Sequence, residues 1–300
     1  MYNIIAKKNL WFSLSGILSI ISLVALLIWG LKLSIDFTGG SLLEVAYQPS
    51  RPSVEKITEI LQPLNLESLR VQPSGDNEFF VRFESVDEPR HQEILGVLKN
   101  VQFDNQTLQG QELKFESIGP TIGNELKSKA VQAIVLVLIL IIAYIAYAFR
   151  HVSKPVASWK YGVAAVIALF HDIFVVIGIY AILGHFLNVE VDILFVTALL
   201  TILGFSVHDT IVTFDRTREN LFKIKGQSFE EIVNLSVNET IVRSLNTSLT
   251  TLFALLAVYI FGGESIRYFV LALILGVIIG TYSSIFIASP LVVLWNSEKS

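Results

Sequence analysis

No cysteine occurs among the 300 residues, which excludes disulfides, thiolate metal sites, CxxC redox chemistry and cysteine nucleophiles together. Charge is scarce as well: 16% of the residues are charged, against 53% hydrophobic, and the mean hydropathy is +0.62. That much apolar surface needs lipid as its solvent, so the chain is a membrane protein. Basic charge is not in excess. Lys and Arg number 22 against 26 Asp and Glu, a net −4, so no overall positive field is present to hold nucleic acid. There is neither a GxxxxGK[ST] phosphate loop nor a GxGxxG after a strand. Energy for any work is therefore not expected from a nucleotide bound by this chain.

Six apolar runs are long enough to cross a bilayer, for which ~20 helical residues suffice. They cover residues 10–31, 130–149, 161–184, 191–214, 241–262 and 268–295. The first follows Lys7 and Lys8 and precedes no small-residue cleavage pattern, so it reads as a retained signal-anchor. Orientation follows from basic residues in short loops. With the N-terminus inside, Lys7, Lys8, Arg150, Lys154, Lys160, Arg216, Arg218, Lys223, Lys225 and Lys299 are all cytoplasmic, and the short outer loops hold only Arg267. The expected layout is a cytoplasmic N-terminus and first span over 1–31, an extracytoplasmic domain over 32–129, and five spans over 130–295. A cytoplasmic loop over 215–240 and a cytoplasmic tail over 296–300 complete it.

The domain over 32–129 has 10 basic and 15 acidic residues, a net −5. Residues 34–47 read as a strand. Pro52 and Ser53 open a helix with Val54, Ile57, Ile60 and Leu61 on one face. Strands are expected at 68–72 and 78–84 about a turn over 73–77, then a helix at 88–99 with Ile94, Leu95 and Leu98 inward, and a last strand at 112–117. This β-α-β-β-α-β order is the ferredoxin-like, α+β arrangement.

Ionisable residues inside apolar spans are the informative ones, because each costs at least ~2.5–3.5 kcal/mol at a helix centre. The fourth span holds His208 and Asp209, and Thr201, Phe205 and Val212 share their face. A membrane carboxylate whose counter-charge moves is a proton-carrying site; the alternative is a static polar staple between helices. The fifth span places Arg243, Asn246, Thr247, Thr250 and Thr251 on one stripe, expected to face the bundle interior. Arg243 can pair with a carboxylate but cannot itself carry the proton, and snorkelling to the headgroups is its other reading. His171 and Asp172 in the third span are a second ionisable pair. Being adjacent, they sit ~100° apart on the helix, and a packing role is favoured. Gly276, Gly280 and Ser284 form a small-residue row that permits close helix approach. Glu190 and Asp192 read as solvated, the run 215–220 as a solvated helical turn, and 228–239, with Phe229, Ile232, Val233 and Leu235, as an amphipathic helix lying along the inner membrane surface.

Two motifs carry a family resemblance: Ile35-Asp36-Phe37-Thr38-Gly39-Gly40 after the first span, and the run from Ser206 to Asn220 at the end of the fourth. They resemble the signatures of SecF proteins in the SecD/SecF family, and the resemblance covers essentially the whole chain. It implies the six-helix half of an RND-type membrane fold. It further implies work with SecD beside the SecYEG channel on unfolded preprotein, after ATP-driven pushing by SecA, with the proton gradient as the energy source and no cofactor or bound metal. The bacterial plasma (inner) membrane is the implied location, with an internal membrane as the other possibility. Asp209 matches the family's essential membrane carboxylate, Arg243 its fifth-span arginine, and Asp36, Gly39 and Gly40 the motif at the start of the outer domain; the resemblance assigns His208 no role. Two rivals stand beside it: an RND-type exporter of a small hydrophobic substrate, and a non-transporting assembly factor. An enzyme is disfavoured, because the outer domain has no Ser/His/Asp order, no metal-ligand spacing and one histidine, His91.

Overall fold

The structure is a computed structural model that describes residues 2–103, 106–148 and 158–297. Arg150, Lys154 and Lys299 lie outside the described residues. The chain divides into two compact units, residues 33–131 and residues 1–32 with 132–300, and each is taken by itself.

The smaller unit is α+β. It opens with a single helical turn, α2 (Ile35–Thr38), where the sequence predicted strand; Ser34 caps it, its Oγ accepting from the Asp36 N–H at 3.2 Å. The strand β1 (Gly40–Gln48) begins only after Gly39 and Gly40, both at positive φ. Helix α3 (Val54–Leu61) is capped by Ser53, and α4 (Glu88–Leu98) by Asp87 with Pro89 in its first turn. Both bury the predicted apolar faces. Ile57, Leu61, Ile94 and Leu98 join Leu43, Val45, Phe79 and Val81 in one core.

Strands β2 (Arg70–Ser74) and β3 (Glu78–Phe83) form a hairpin in which Pro73 pairs with Phe79, so the turn shrinks to 75–77 and Gly75 takes positive φ. Pro73 is tolerated because β2 is an edge strand. The sheet order is β2-β3-β1-β5-β4 with every pairing antiparallel. The first four strands reproduce the ferredoxin-like order. The sequence reading missed the short β4 (Asn100–Phe103) and made β5 (Gln106–Ile118) too short; the two form an added edge hairpin. Tyr47 is fully buried and donates to Leu98 O at 3.1 Å; burial pushes its phenol well above the ordinary tyrosine range.

The larger unit is helical, and among the described residues six helices are long and apolar enough to cross a membrane. They are α1 (Lys8–Ile28), α5 (Pro120–Ala148), α6 (Ser158–Leu187), α7 (Ile193–Lys223), α8 (Phe229–Phe261) and α9 (Glu264–Ser283). The last continues through a π-helical segment, Ser284–Ala288, into α10 (Ser289–Ser297). At 31 and 33 residues, α7 and α8 are about 46 and 50 Å long, well beyond a ~30 Å hydrocarbon layer.

The expected surface helix over 228–239 is therefore corrected: it is the opening of α8. Ser228 and Glu231 form a capping box that starts the helix there. Its apolar residues pack on protein, with Val233 and Val237 against Ile4, Ile5, Ile285 and Val293. Asn234 and Asn238 of the same turns bind the backbone of Tyr2, Ile4 and Ile5 at 2.7–3.2 Å. An amphipathic pattern cannot by itself distinguish a lipid surface from a neighbouring segment.

Candidate functional site

Helix α7 starts at Asp192, whose carboxylate accepts from the Phe195 N–H at 2.8 Å, so this acid is a cap. Before Ser206 its buried face is apolar, and from Ser206 onward that face turns polar: Ser206, Asp209, Thr210, Thr213, Thr217 and Asn220 are all buried. On α8 the facing residues Ser236, Thr240, Ser244 and Ser248 recur every four positions and are buried too. Thr213 and Thr240 hydroxyls meet at 3.2 Å. Asn220 donates to Ser236 Oγ at 3.0 Å and to Glu239 at 2.7 Å, and Arg216 also holds Glu239 at 2.7 Å. The expected solvated turn at 215–220 is thus a braced part of the α7–α8 hairpin.

Asp209 lies in this seam, 5% exposed, with the Ser244 side chain beside its carboxylate. Its Oδ2 is shielded from solvent and has no hydrogen-bond partner among the described residues. Asp209 and Arg243 are not joined here. Arg243 is exposed, and the ion pairs among the described residues leave it out. It is, however, the residue next to Ser244, so the guanidinium starts from the helical turn that touches the acid.

The expected inward stripe on α8 is corrected as well. Ser244 and Ser248 set the phase of the helix, which places Arg243, Asn246, Thr247 and Thr250 about 60–160° around the helix from Ser244, on the exposed surface. On α7, Thr201 and His208 are exposed beside the buried Asp209, with Phe205 and Val212 half-buried. The helical bundle therefore presents polar and ionisable side chains on an outer face that lipid alone does not satisfy.

Elsewhere the bundle encloses the second pair. Asp172 has no exposed surface, and its Oδ2 accepts from Ser206 of α7 at 2.5 Å and from Ser283 of α9 at 2.7 Å. His171 Nδ1 lies 3.1 Å from its Oδ1. Thr210 and Ser284 hydroxyls meet at 2.8 Å one turn away. The small-residue row does what its spacing predicts: a Cβ on Gly280 would sit 2.9 Å from Ser206 Cβ, and one on Gly276 would overlap Ile202.

In the smaller unit, Gly39 has φ 75° and ψ 166°, and a Cβ there would lie 2.8 Å from Pro120 Cα. A Cβ on Gly123 would lie 2.8 Å from Gly39 N. Gly40, at φ 128°, sits close to Phe83 O. Gly39 thus serves a backbone-to-backbone contact with the start of α5, Gly40 a close approach to β3, and Asp36 lies in the helical turn that precedes them. Sequence reasoning missed Gly123, Ser206, Ser244 and Ser283. The four-residue recurrence of small hydroxyl residues on α8 was the signal that pointed to Ser244.

Residues 97–298 match the family model described as protein export membrane protein SecD/SecF, C-terminal, and residues 24–50 match the SecD/SecF GG motif. Over 99% of its length the chain is 43% identical to protein translocase subunit SecF of Thermobaculum terrenum, covering 95% of that protein. It is 40% identical over its full length to the SecF subunit of Anaerolinea thermophila, covering 96% of it. A crystal structure of SecDF from Thermus thermophilus, described as a translocon-associated membrane protein, superposes with a TM-score of 0.84 at 33% identity. That match covers 99% of this chain and 39% of the SecDF chain.

Proposed function

The chain belongs to the SecD/SecF family, as a SecF-type subunit of the Sec protein-export machinery and not an enzyme, and from that premise we propose that it drives late polypeptide translocation with the proton gradient through Asp209. The observation that carries this reading is the exposed polar face of α7 and α8, with a buried acid immediately behind it whose Oδ2 lacks a partner. A six-helix half leaves that face uncovered. SecD is the proposed second half, because the relative from Thermus thermophilus named SecDF includes a region matching this chain within a longer protein, of which the chain spans 35%.

On this reading Asp209 exchanges the proton, Arg243 supplies a movable counter-charge, and His208, exposed beside them, lies at the seam with the partner. When Asp209 is ionised, Arg243 is drawn toward it; protonation releases the guanidinium and lets α7 and α8 shift. One charge crossing a 100 mV potential contributes ~2.3 kcal/mol, about fifty-fold in an equilibrium constant, which suffices to bias a two-state movement. The N- and C-termini face the cytoplasm in this proposal, following the distribution of Lys and Arg. Residues 32–129 then form the extracytoplasmic domain that holds or releases the emerging polypeptide delivered by SecYEG and SecA. Asp209→Asn tests the proposal in membrane vesicles containing SecD and the channel. Assembly with SecD is expected to persist and gradient-dependent export to be lost; export at the wild-type rate refutes it and favours a passive brace.

A further inference from the structure

We propose that His171 and Asp172 form a second proton-binding site, separate from Asp209, whose protonation state sets how tightly α6 holds α7 and α9. The geometry is that of one carboxylate tying three helices. Ser206 and Ser283 hydroxyls converge on Oδ2 at 2.5 and 2.7 Å, which engages this oxygen in the staple and leaves Oδ1 as the freer of the two. Proton exchange therefore belongs to Oδ1, which faces His171 Nδ1 at 3.1 Å. A proton taken up by the imidazole moves within the pair when the Nδ1–H bond breaks and an Oδ1–H bond forms. Imidazolium and carboxylate become imidazole and carboxylic acid, with the net charge of the pair unchanged.

His171 Nε2 is the open end of this relay. It is buried and has no hydrogen-bond partner among the described residues, although both ring nitrogens of an imidazole are polar groups that burial normally pairs. The titratable surroundings are few. On α9, Tyr282 lies with its ring centroid 6.5 Å from that of His171, but its hydroxyl is already engaged by Ser15 at 3.0 Å and by Trp11 O at 3.1 Å. On α7, Asp209 lies three residues beyond Ser206 and is directed to Ser244. The only charged residue of α1 is Lys8, at its first position. Among the described residues, the one ion pair that Asp172 makes is with His171.

A staple alone does not require an acid here. Two hydroxyl donors and one ring nitrogen are satisfied by asparagine, whereas an ionisable group within a membrane bundle is expensive and is kept where it titrates or moves. The place is also mechanically suited. The π-helical segment begins at Ser284, directly after Ser283, and Ser284 Oγ donates to Ser206 O at 3.1 Å, across to the helix that carries Asp209. Interruptions of this kind gather at functional sites. Neutralising Asp172 weakens its hold on both serines and frees α7 to slide past α9 where the latter is already irregular.

The use of the site in export rests on the proton-driven reading above, but proton binding by the pair does not, and the test keeps them apart. The full chain in lipid nanodiscs is titrated by difference infrared spectroscopy in the carboxylic-acid stretching region. The expected result is a pH-dependent band that is lost in Asp172→Asn and kept in Asp209→Asn, with gradient-driven export at least tenfold lower in Asp172→Asn. A Ser206→Ala/Ser283→Ala double variant, which keeps the acid, is expected to retain the band with a displaced midpoint, and it serves if Asp172→Asn fails to fold. A band that survives Asp172→Asn and vanishes in Asp209→Asn overturns the second site and leaves the role of Asp209 standing. A wild-type spectrum without any titrating band overturns the second site as well.

Discussion

Replacing Gly39 by alanine is expected to be among the most damaging single-methyl changes in the smaller unit. Two separable costs add. At φ 75° and ψ 166° the backbone occupies a region that is essentially glycine-only, worth about 1–3 kcal/mol for any other residue. The added Cβ would also sit 2.8 Å from Pro120 Cα and 3.0 Å from Pro120 N. Both are backbone atoms that no rotamer change can move aside, which adds about 1–3 kcal/mol of overpacking. The sum, about 2–6 kcal/mol, is a large part of a typical folding free energy of roughly 5–15 kcal/mol. Gly96→Ala is the matched control. Gly96 lies in α4, and a Cβ there meets nothing within 4 Å, so alanine is expected to stabilise by about 0.5–1 kcal/mol. Unfolding of the full chain in detergent, followed by circular dichroism, compares the two. Gly39→Ala within about 0.5 kcal/mol of wild type, below the smallest of these costs, refutes the contact reasoning.

The helix contacts make a paired prediction. Gly276→Ala meets only side-chain atoms of Ile202, so it is expected to cost about 1–3 kcal/mol and to be rescued by Ile202→Ala. Gly178→Ala meets Ser22 Cα at 2.5 Å, so Ser22→Ala is expected to leave its destabilisation in place; equal rescue in both pairs contradicts the assignment. Tyr47→Phe removes one hydrogen bond and is expected to cost about 1 kcal/mol at neutral pH. Because burial raises the Tyr47 phenol above its unfolded value, the folded state holds that proton longer, and stability falls as pH rises past about 10. In Tyr47→Phe the alkaline loss is expected to be shallower, and an unchanged slope in denaturation measured across that range refutes it.

Much of the architecture was legible because its causes are local. Ser53 and Asp87 cap helices whose apolar spacing is set by 3.6-residue periodicity, and long apolar runs have few interpretations. What escaped depends on neighbours. The stripe from Arg243 to Thr250 was recognised as a stripe, but its direction was fixed by Ser244 and Ser248, whose small side chains carry little weight in a hydrophobicity pattern. The opening of α8 looked like a lipid-surface helix because the residues that cover it, Ile4 and Ile5, are more than 220 positions away in sequence. Ser206 and Ser283 looked like incidental small residues until a shared partner, Asp172, gave them a role. Gly39 and Gly40 were read as a turn; the contact of Gly39 with Pro120 lies at the other end of the unit and leaves no trace in local spacing.

The central claim, that the exposed polar face of α7 and α8 is a protein seam holding the proton-coupled acid, is tested most directly at Thr247. A chain without cysteine accepts a single Thr247→Cys substitution against a silent background, and a spin label there reports its surroundings with and without SecD in the same lipid. The account predicts strong immobilisation and loss of contact with lipid-soluble oxygen when SecD is present. A label that remains mobile and oxygen-accessible in the assembled complex contradicts it.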